Sequence, residues 1–252
     1  MKIDLHVHAK ERSACGLSGE EEMIQAAIAF GLDGLVFTDH HQLVPLDRLE
    51  ELNRRYAPFR VFGGIEISVT EGEDLLVLGI RDSTLETRKW SYAELFAFVR
   101  KRSGFLVLAH PFRYHSTINI DLEVYPPDAV ELHSKNTGAC DEPRICAVLE
   151  RLGLRPLCNS DAHTAEHVGI YHNQLACMPK NEEELIRILK AGDYTCNGME
   201  ERIAVINDEI EERESLIRDM IAAGQDRDAY RRKTGHWAGH YDRVAMGKSY
   251  QI

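Results

Sequence analysis

Short, continuous apolar runs alternate with amphipathic stretches along most of the chain, the pattern of strands and helices taken in turn. Residues 3–7 read as a buried strand. Residues 20–30 have helical periodicity, with Ser18 as N-cap, Glu21 completing a capping box and Gly31 closing the helix. A strand over 35–38, a helix from about Pro45 to Tyr56 and a strand over 60–65 follow, the proline suiting a helix start. Between apolar segments 66–69 and 75–80 lies a polar turn containing Gly72, which predicts a hairpin and hence an irregularity in the alternation. A helix over 92–101 then precedes a strand over 105–109, and a polar loop around 113–121 precedes a strand over 129–132. A helix over 144–152 ends at Gly153; a strand over 156–159 and a helix over 185–190, capped near Asn181, complete the series.

From about Met199 the pattern changes. Ile203, Ile206, Ile210, Ile217 and Met220 fall at a/d-like spacing among many charges, interrupted by Arg213, so this segment is expected to be an amphipathic helix docked on the preceding domain or on a second subunit. Beyond Gly224 the tail is polar, with Gly235, Gly239 and Gly247, and is expected to be partly disordered. His236 and His240 share i, i+4 spacing, but the flanking glycines argue against a stable helix there. Trp237 and Tyr241 suit either a lid or a subunit contact. Residues 1–197 thus read as a catalytic domain and 198–252 as a helical extension, a route to a homo-oligomer.

Composition narrows the class. The 252 residues are 44% hydrophobic and 28% charged, the balance of an ordinary globular protein and the size of one (β/α) barrel. The net charge of −11 disfavours a long nucleic acid as partner and leaves a small anionic substrate easier to accommodate. Six cysteines without a C-x-x-C pair read as reduced thiols. With no signal-like N-terminus and no membrane-length apolar run, a cytoplasmic location is expected.

Candidate metal ligands recur at or just past the ends of the apolar runs: His6, His8, His40, Glu66, His110, His133, Asp161 and His163. The intervals from His8 onward are 32, 26, 44, 23 and 28 residues, near the length of a strand–helix unit, so a parallel barrel would bring them to one mouth. His6 and His8, two apart on a strand, face the same way, and Asp161 and His163 repeat that arrangement. Glu66 follows the apolar run 61–65, where a carboxylate needs an ionic partner and can offer one oxygen to each of two cations. Pro111 marks a turn that leaves His110 at a strand end. Asp39 is placed to orient a neighbouring ring. His40 and His41 both qualify as candidates, whereas His115, His167 and His172 read as loop or packing residues.

These motifs together resemble the PHP (polymerase and histidinol phosphatase) metal-dependent phosphoesterases. The resemblance spans roughly residues 1–197 and rests on Asp4-Leu5-His6-Val7-His8, Thr38-Asp39-His40, Gly64-Ile65-Glu66-Ile67, Ala109-His110-Pro111, Glu131-Leu132-His133 and Ser160-Asp161-Ala162-His163. It implies an α/β fold, a distorted seven-stranded (β/α) barrel with two or three metals at its C-terminal mouth, and selects His40 over His41. It further implies one ion on His6, His8, Glu66 and Asp161 and a second on Glu66, His110 and His133. A third would use His40, His163 and a ligand from the loop after the first motif, where this chain offers only Glu11 or Cys15; two ions are the firmer expectation. Zn, Mn or Fe suits such ligands better than Mg.

The expected chemistry is hydrolysis of a small phosphomonoester or short nucleotide. Two ions about 3.5–4 Å apart offset charge on phosphorus and lower the pKa of a bridging water toward ~7. His40 and His163, with Glu66 and Asp161, form the expected catalytic set, either histidine serving as general acid if no third ion takes it. Lys10, Arg12, Arg113 and Lys135, near the ligands in sequence, are candidate phosphate anchors, Arg113 foremost. The alternatives are a metal-dependent nuclease, an amidohydrolase, and a metal-binding scaffold without activity.

Overall fold

A computed structural model describes all 252 residues. The strands are β1 (Lys2–Val7), β2 (Gly34–Phe37), β3 (Arg60–Ser68), β4 (Asp74–Leu78), β5 (Phe105–Leu108), β6 (Ala129–His133), β7 (Arg155–Cys158), β8 (Tyr171–Leu175) and β9 (Tyr194–Gly198). The helices are α1 (Glu20–Ala29), α2 (Leu46–Tyr56), α3 (Thr84–Thr87), α4 (Tyr92–Lys101), α5 (Glu142–Leu152), α6 (Glu182–Ala191), α7 (Glu200–Ala222), α8 (Arg227–Thr234) and α9 (Ala238–Ala245).

All strands join one mixed sheet in the order β7-β6-β5-β4-β3-β2-β1-β8-β9, curled into a nearly closed barrel. Nine strands replace the expected seven. The hairpin read from the turn at Gly72 is present as β3–β4, Glu66 facing Leu76, and β4 also runs antiparallel to β5. The two unexpected strands, β8 and β9, are polar and antiparallel to their neighbours. Near the gap, the Asn173 side chain of β8 stands in for a strand ladder: its amide accepts from Cys158 N at 3.2 Å and donates to Cys158 O at 2.8 Å.

Strand β1 sets the pattern for the interior. Asp4 and His6 alternate with the apolar Ile3, Leu5 and Val7, and all five are fully buried, as is His8 just beyond the strand. Apolar residues on the sheet pack under the helices, for example Ile3, Leu5 and Val36 with Leu185, Ile188 and Leu189 of α6. Helix α1 starts from Gly19, whose N–H donates to Glu22 at 3.3 Å, while the expected cap Ser18 instead receives Ala165 N at 3.1 Å.

The C-terminal segment is folded onto the barrel. Ile206, Ile210, Ile217 and Met220 of α7 pack with Cys158, Ile170 and Tyr171 from the barrel and with Tyr230, Val244, Tyr250 and Ile252 from the tail. The tail expected to be partly disordered forms α8 and α9, and helix does form around His240, Ala238 opening α9 after the flanking Trp237. Its end is fastened by Asn207, which bonds both N and O of Ile252, and by buried Glu214, which receives Tyr250 N at 2.8 Å. Because Ile217 is fully buried at this seam, Ile217→Ala is expected to cost about 2–5 kcal/mol, measurable by denaturant unfolding. A loss below ~0.5 kcal/mol would show that α7 does not rest on the barrel.

Candidate metal centre

The parallel strands β1, β2, β3, β5, β6 and β7 end on one rim, which gathers side chains widely separated in sequence. His6 comes from β1 and His8 from just beyond its end, His40 from the turn after β2, Glu66 from β3, His110 from the turn after β5, and Asp161 and His163 from the turn after β7. Two of these residues hold backbone conformations rare for a side-chain-bearing residue, His110 at φ +25° and Asp161 at φ +50°. Asp4 pins the turn carrying Asp161: its carboxylate accepts from the Ser160 hydroxyl, from Ser160 N at 3.1 Å and from Gly169 N at 2.9 Å. Burial pushes the Asp4 carboxyl up to about 6 despite these donors.

Four atoms converge most tightly. His6 Nε2 and His8 Nε2 are 3.0 Å apart; Glu66 Oε2 lies 3.4 and 3.2 Å from them, and Asp161 Oδ1 3.3 and 3.1 Å. A tetrahedral ion bound at about 2.0–2.1 Å requires ligand atoms about 3.3 Å apart, so these separations match a cation cradle. Glu66 Oε2 and Asp161 Oδ1 are also buried with no hydrogen-bond donor to satisfy them. A buried anionic oxygen without a donor is costly, and a cation between the four atoms removes that cost.

The other Glu66 oxygen, Oε1, faces His110 Nε2 at 3.0 Å, and Asp74 Oδ2 lies 3.8 Å from the same nitrogen. Glu66, Asp74 and His110 thus form a second group able to hold an ion. His133, the ligand expected here, is elsewhere: the β6–β7 register shifts between Glu131 and His133, and the His133 ring stacks on Tyr171 at 5.2 Å. The shift turns the side chain off the face that Glu131 occupies. Asp74 was not anticipated because its strand runs opposite to its neighbours, so the first residue of β4, and not the one after its end, reaches the mouth.

Hydrogen bonds fix the imidazoles. His6 Nδ1–H donates to Glu131 Oε1 at 3.1 Å and His8 Nδ1–H to the Ser13 hydroxyl at 3.3 Å, leaving both Nε2 atoms free as ligands. Ser13 donates in turn to Asp39 at 2.9 Å; Asp39 therefore orients His8 through Ser13 and does not hold the His40 ring. Glu131 also accepts His110 N at 2.9 Å and Asn159 Nδ2 at 2.8 Å, a role not read from the sequence although a glutamate in an apolar strand was the available signal. Glu131→Gln is expected to weaken metal affinity about 10- to 100-fold with the fold intact, checked by competition with a chelating dye. Unchanged affinity would mean that His6 is oriented by packing alone.

A third group comprises His8, Cys15, His40 and His163, whose ligand atoms lie within 4.8 Å of one another. Of the two loop candidates, Cys15 reaches it, whereas Glu11 turns away to accept Glu20 N at 3.0 Å. Electrostatics agree with a cation-binding centre. Against the upward push of burial, His6 and its neighbours hold Glu66 and Asp161 well below the usual carboxylate range. Burial lowers His163 to about 3, so it is neutral, the form that ligates a metal and a poor general acid.

The four expected phosphate anchors divide. Arg113 reaches the centre, Nη1 3.5 Å from Asp161 Oδ2, with its guanidinium over the rings of Tyr114 and Trp237. Lys135 is close by, its Nζ 2.7 Å from His167 Nδ1, and burial lowers its pKa to about 8. Arg12 is instead locked to Asp39 and Glu20, each at 2.7 Å, and Lys10 is exposed, its side chain beside Gly19. Asn136, unremarked in the sequence, donates to Asp161 Oδ2 at 2.6 Å. The cavity between α2 and α6, about 400 Å³ and lined by Leu49, Arg60 and Glu182, includes none of the clustered residues.

The PHP domain family model matches residues 4–230. Among solved structures, PsfC from Pseudomonas syringae is similar with a TM-score of 0.63 and 21% identity, over 86% of this chain and 98% of that one. A two-domain protein from Bacteroides vulgatus containing a predicted PHP-like metal-dependent phosphoesterase matches with a TM-score of 0.57 and 13% identity, over 79% of this chain and 64% of its own. The lesion-specific endonuclease EndoQ from Pyrococcus furiosus matches at 0.56 and 15%, over 77% and 57%. No curated protein matches the chain significantly.

Proposed function

The chain belongs to the PHP domain family, and from that premise we propose that it is a metal-dependent phosphoesterase acting on a small phosphomonoester or short nucleotide. The observation that supports this reading most is the pair of buried, donorless oxygens, Glu66 Oε2 and Asp161 Oδ1, facing two imidazole nitrogens with their Nε2 atoms free. We assign His6, His8, Glu66 and Asp161 to one ion, Glu66, His110 and Asp74 to a second, and Cys15, His40 and His163 to a third where one binds. Zn, Mn or Fe suits this mixture of imidazole and carboxylate. Bound divalent ions supply charge stabilisation at phosphorus and acidify a water molecule at neutral pH.

The protein's own groups do the rest. Glu66 faces both ligand groups with opposite oxygens and so fixes their separation. Arg113 brings a permanent cation beside the Asp161 end of the centre, where it can hold a non-reacting phosphate oxygen. Asn136 holds the Asp161 carboxylate, and Glu131 and Ser13 fix the tautomers of His6 and His8. Burial lowers His40 as well as His163, so protonation of the leaving oxygen falls to water.

The test is a panel of sugar phosphates, amino-alcohol phosphates, nucleotides and oligonucleotides, assayed with Mn and with Zn. Turnover of small monoesters supports the proposal. Preference for oligonucleotides, with affinity falling steeply as salt rises, would move the assignment to a nuclease, and amide hydrolysis without phosphoester hydrolysis would overturn it.

A further inference from the structure

The arginine beside the metal centre is held without being used up. The Arg113 side chain is only 15% exposed, yet its one side-chain hydrogen bond is the 3.5 Å contact to Asp161 Oδ2, and its Nε is buried with no acceptor. That Asp161 oxygen already receives the Asn136 amide at 2.6 Å. A buried guanidinium ordinarily gives its donors to carboxylates or carbonyls, as Arg12 does to Asp39 and Glu20. Arg113 keeps most of its donors open.

What holds the guanidinium is aromatic. Its central carbon lies 5.1 Å from the centroid of the Tyr114 ring and 5.4 Å from that of Trp237, and the two rings meet edge to face at 6.2 Å. A carboxylate would grip the group as firmly but would occupy its N–H donors, whereas an aromatic face attracts the cation through its quadrupole and leaves them free. Tyr114 belongs to the loop after β5 and also meets the His110 ring, centroids 5.9 Å apart. Trp237 arrives from the C-terminal extension and is 43% exposed, so core packing does not account for its place. The extension is fastened so as to present that ring. Buried Arg243 of α9 bonds Asp141 at 2.7 Å, tying the helix to the barrel, and Gly239 lies against the indole, where a Cβ would collide with it.

We propose that Trp237 is a positioning residue for the reaction: together with Tyr114 it holds the Arg113 guanidinium beside the metal centre with its donors free for a phosphoryl oxygen. The proposal rests on the phosphoester reading above. It makes the C-terminal extension part of the active site, since the barrel supplies the arginine and the extension supplies one of the two rings that fix it. Without the indole, Arg113 is free to leave the geometry in which it meets a phosphate, and part of the binding energy goes into ordering it again.

Methylphosphonate, titrated calorimetrically into the full-length protein in saturating manganese, reads the anchor directly. Trp237→Leu keeps apolar bulk but removes the π face, and is expected to weaken binding about 5- to 30-fold. Trp237→Phe, which keeps a ring, should stay within about twofold of the unaltered protein. Arg113→Met should weaken binding at least as much as Trp237→Leu, and in that background Trp237→Leu should change affinity by less than about twofold, because nothing is left to position. A merely structural tryptophan would cost the same in both backgrounds. Unchanged affinity in Trp237→Leu, equal losses in the two backgrounds, or a phenylalanine variant as weak as the leucine one overturns the positioning role and leaves the phosphoester reading standing. Failure of methylphosphonate to bind the unaltered protein overturns both.

Discussion

Glu66→Gln is expected to lower turnover by ~10³-fold or more while leaving the far-UV spectrum unchanged. The carboxylate is fully buried and uses both oxygens, Oε2 near His6, His8 and His40 and Oε1 near His110. Glutamine has the same shape but turns one of those acceptors into an NH₂ group. Whichever way it points, a donor then faces a cluster of ligand nitrogens, and one or both ions lose an anionic ligand. Elemental analysis of the variant should show depleted metal alongside the lost turnover. Full occupancy with wild-type turnover would remove Glu66 from the centre of the mechanism.

Most of this centre is legible in the sequence because parallel strands obey one simple rule. The residue at or just after the end of each apolar run reaches the same rim, and His6, His8, His40, Glu66, His110, Asp161 and His163 all follow it. The rule fails where local geometry departs from a regular parallel strand. Asp74 begins an antiparallel strand and so reaches the rim from its N-terminal side. His133 obeys the rule in sequence, but a register shift turns it outward onto Tyr171. Glu131 is left on the inward face, where it orients His6 instead of binding a metal itself.

The closing strands escaped notice for a related reason. β8 reads Tyr-His-Asn-Gln-Leu, with too few apolar residues for the periodicity of a buried strand, yet His172 and Asn173 are buried because their polar atoms are satisfied internally. Polar residues paid for by specific partners are invisible to a hydrophobicity pattern. The C-terminal extension shows the opposite limit. Its apolar spacing predicts that α7 docks, and it does, but no local signal says that Trp237, nearly forty residues after that helix begins, lies against Arg113 at the mouth.

Stripping the ions is expected to lower the melting temperature by about 15–30 °C. An ion at a thousand times its Kd adds about 4 kcal/mol to the folded state, so two ions add about 8. A domain of this size shifts by about 2–4 °C per kcal/mol. The difference should also grow with pH. In the metal-free protein, burial works against charging His6 and His8, yet Asp161, Glu66 and, for His6, Glu131 raise both above the usual histidine value, His8 to about 9. A raised histidine contributes stability that is complete below its unfolded pKa, about 6.5, and is lost as pH climbs through the folded value. The metal-free protein should therefore weaken between about pH 6.5 and 9. Metal-bound imidazoles are already neutral, so the loaded protein loses none of this contribution over the same range. Melting curves with and without a chelator at pH 6.5 and 9 test both parts. Coincident curves at both values would mean that the buried carboxylates are balanced by protons alone, and the centre would then have no claim to a metal.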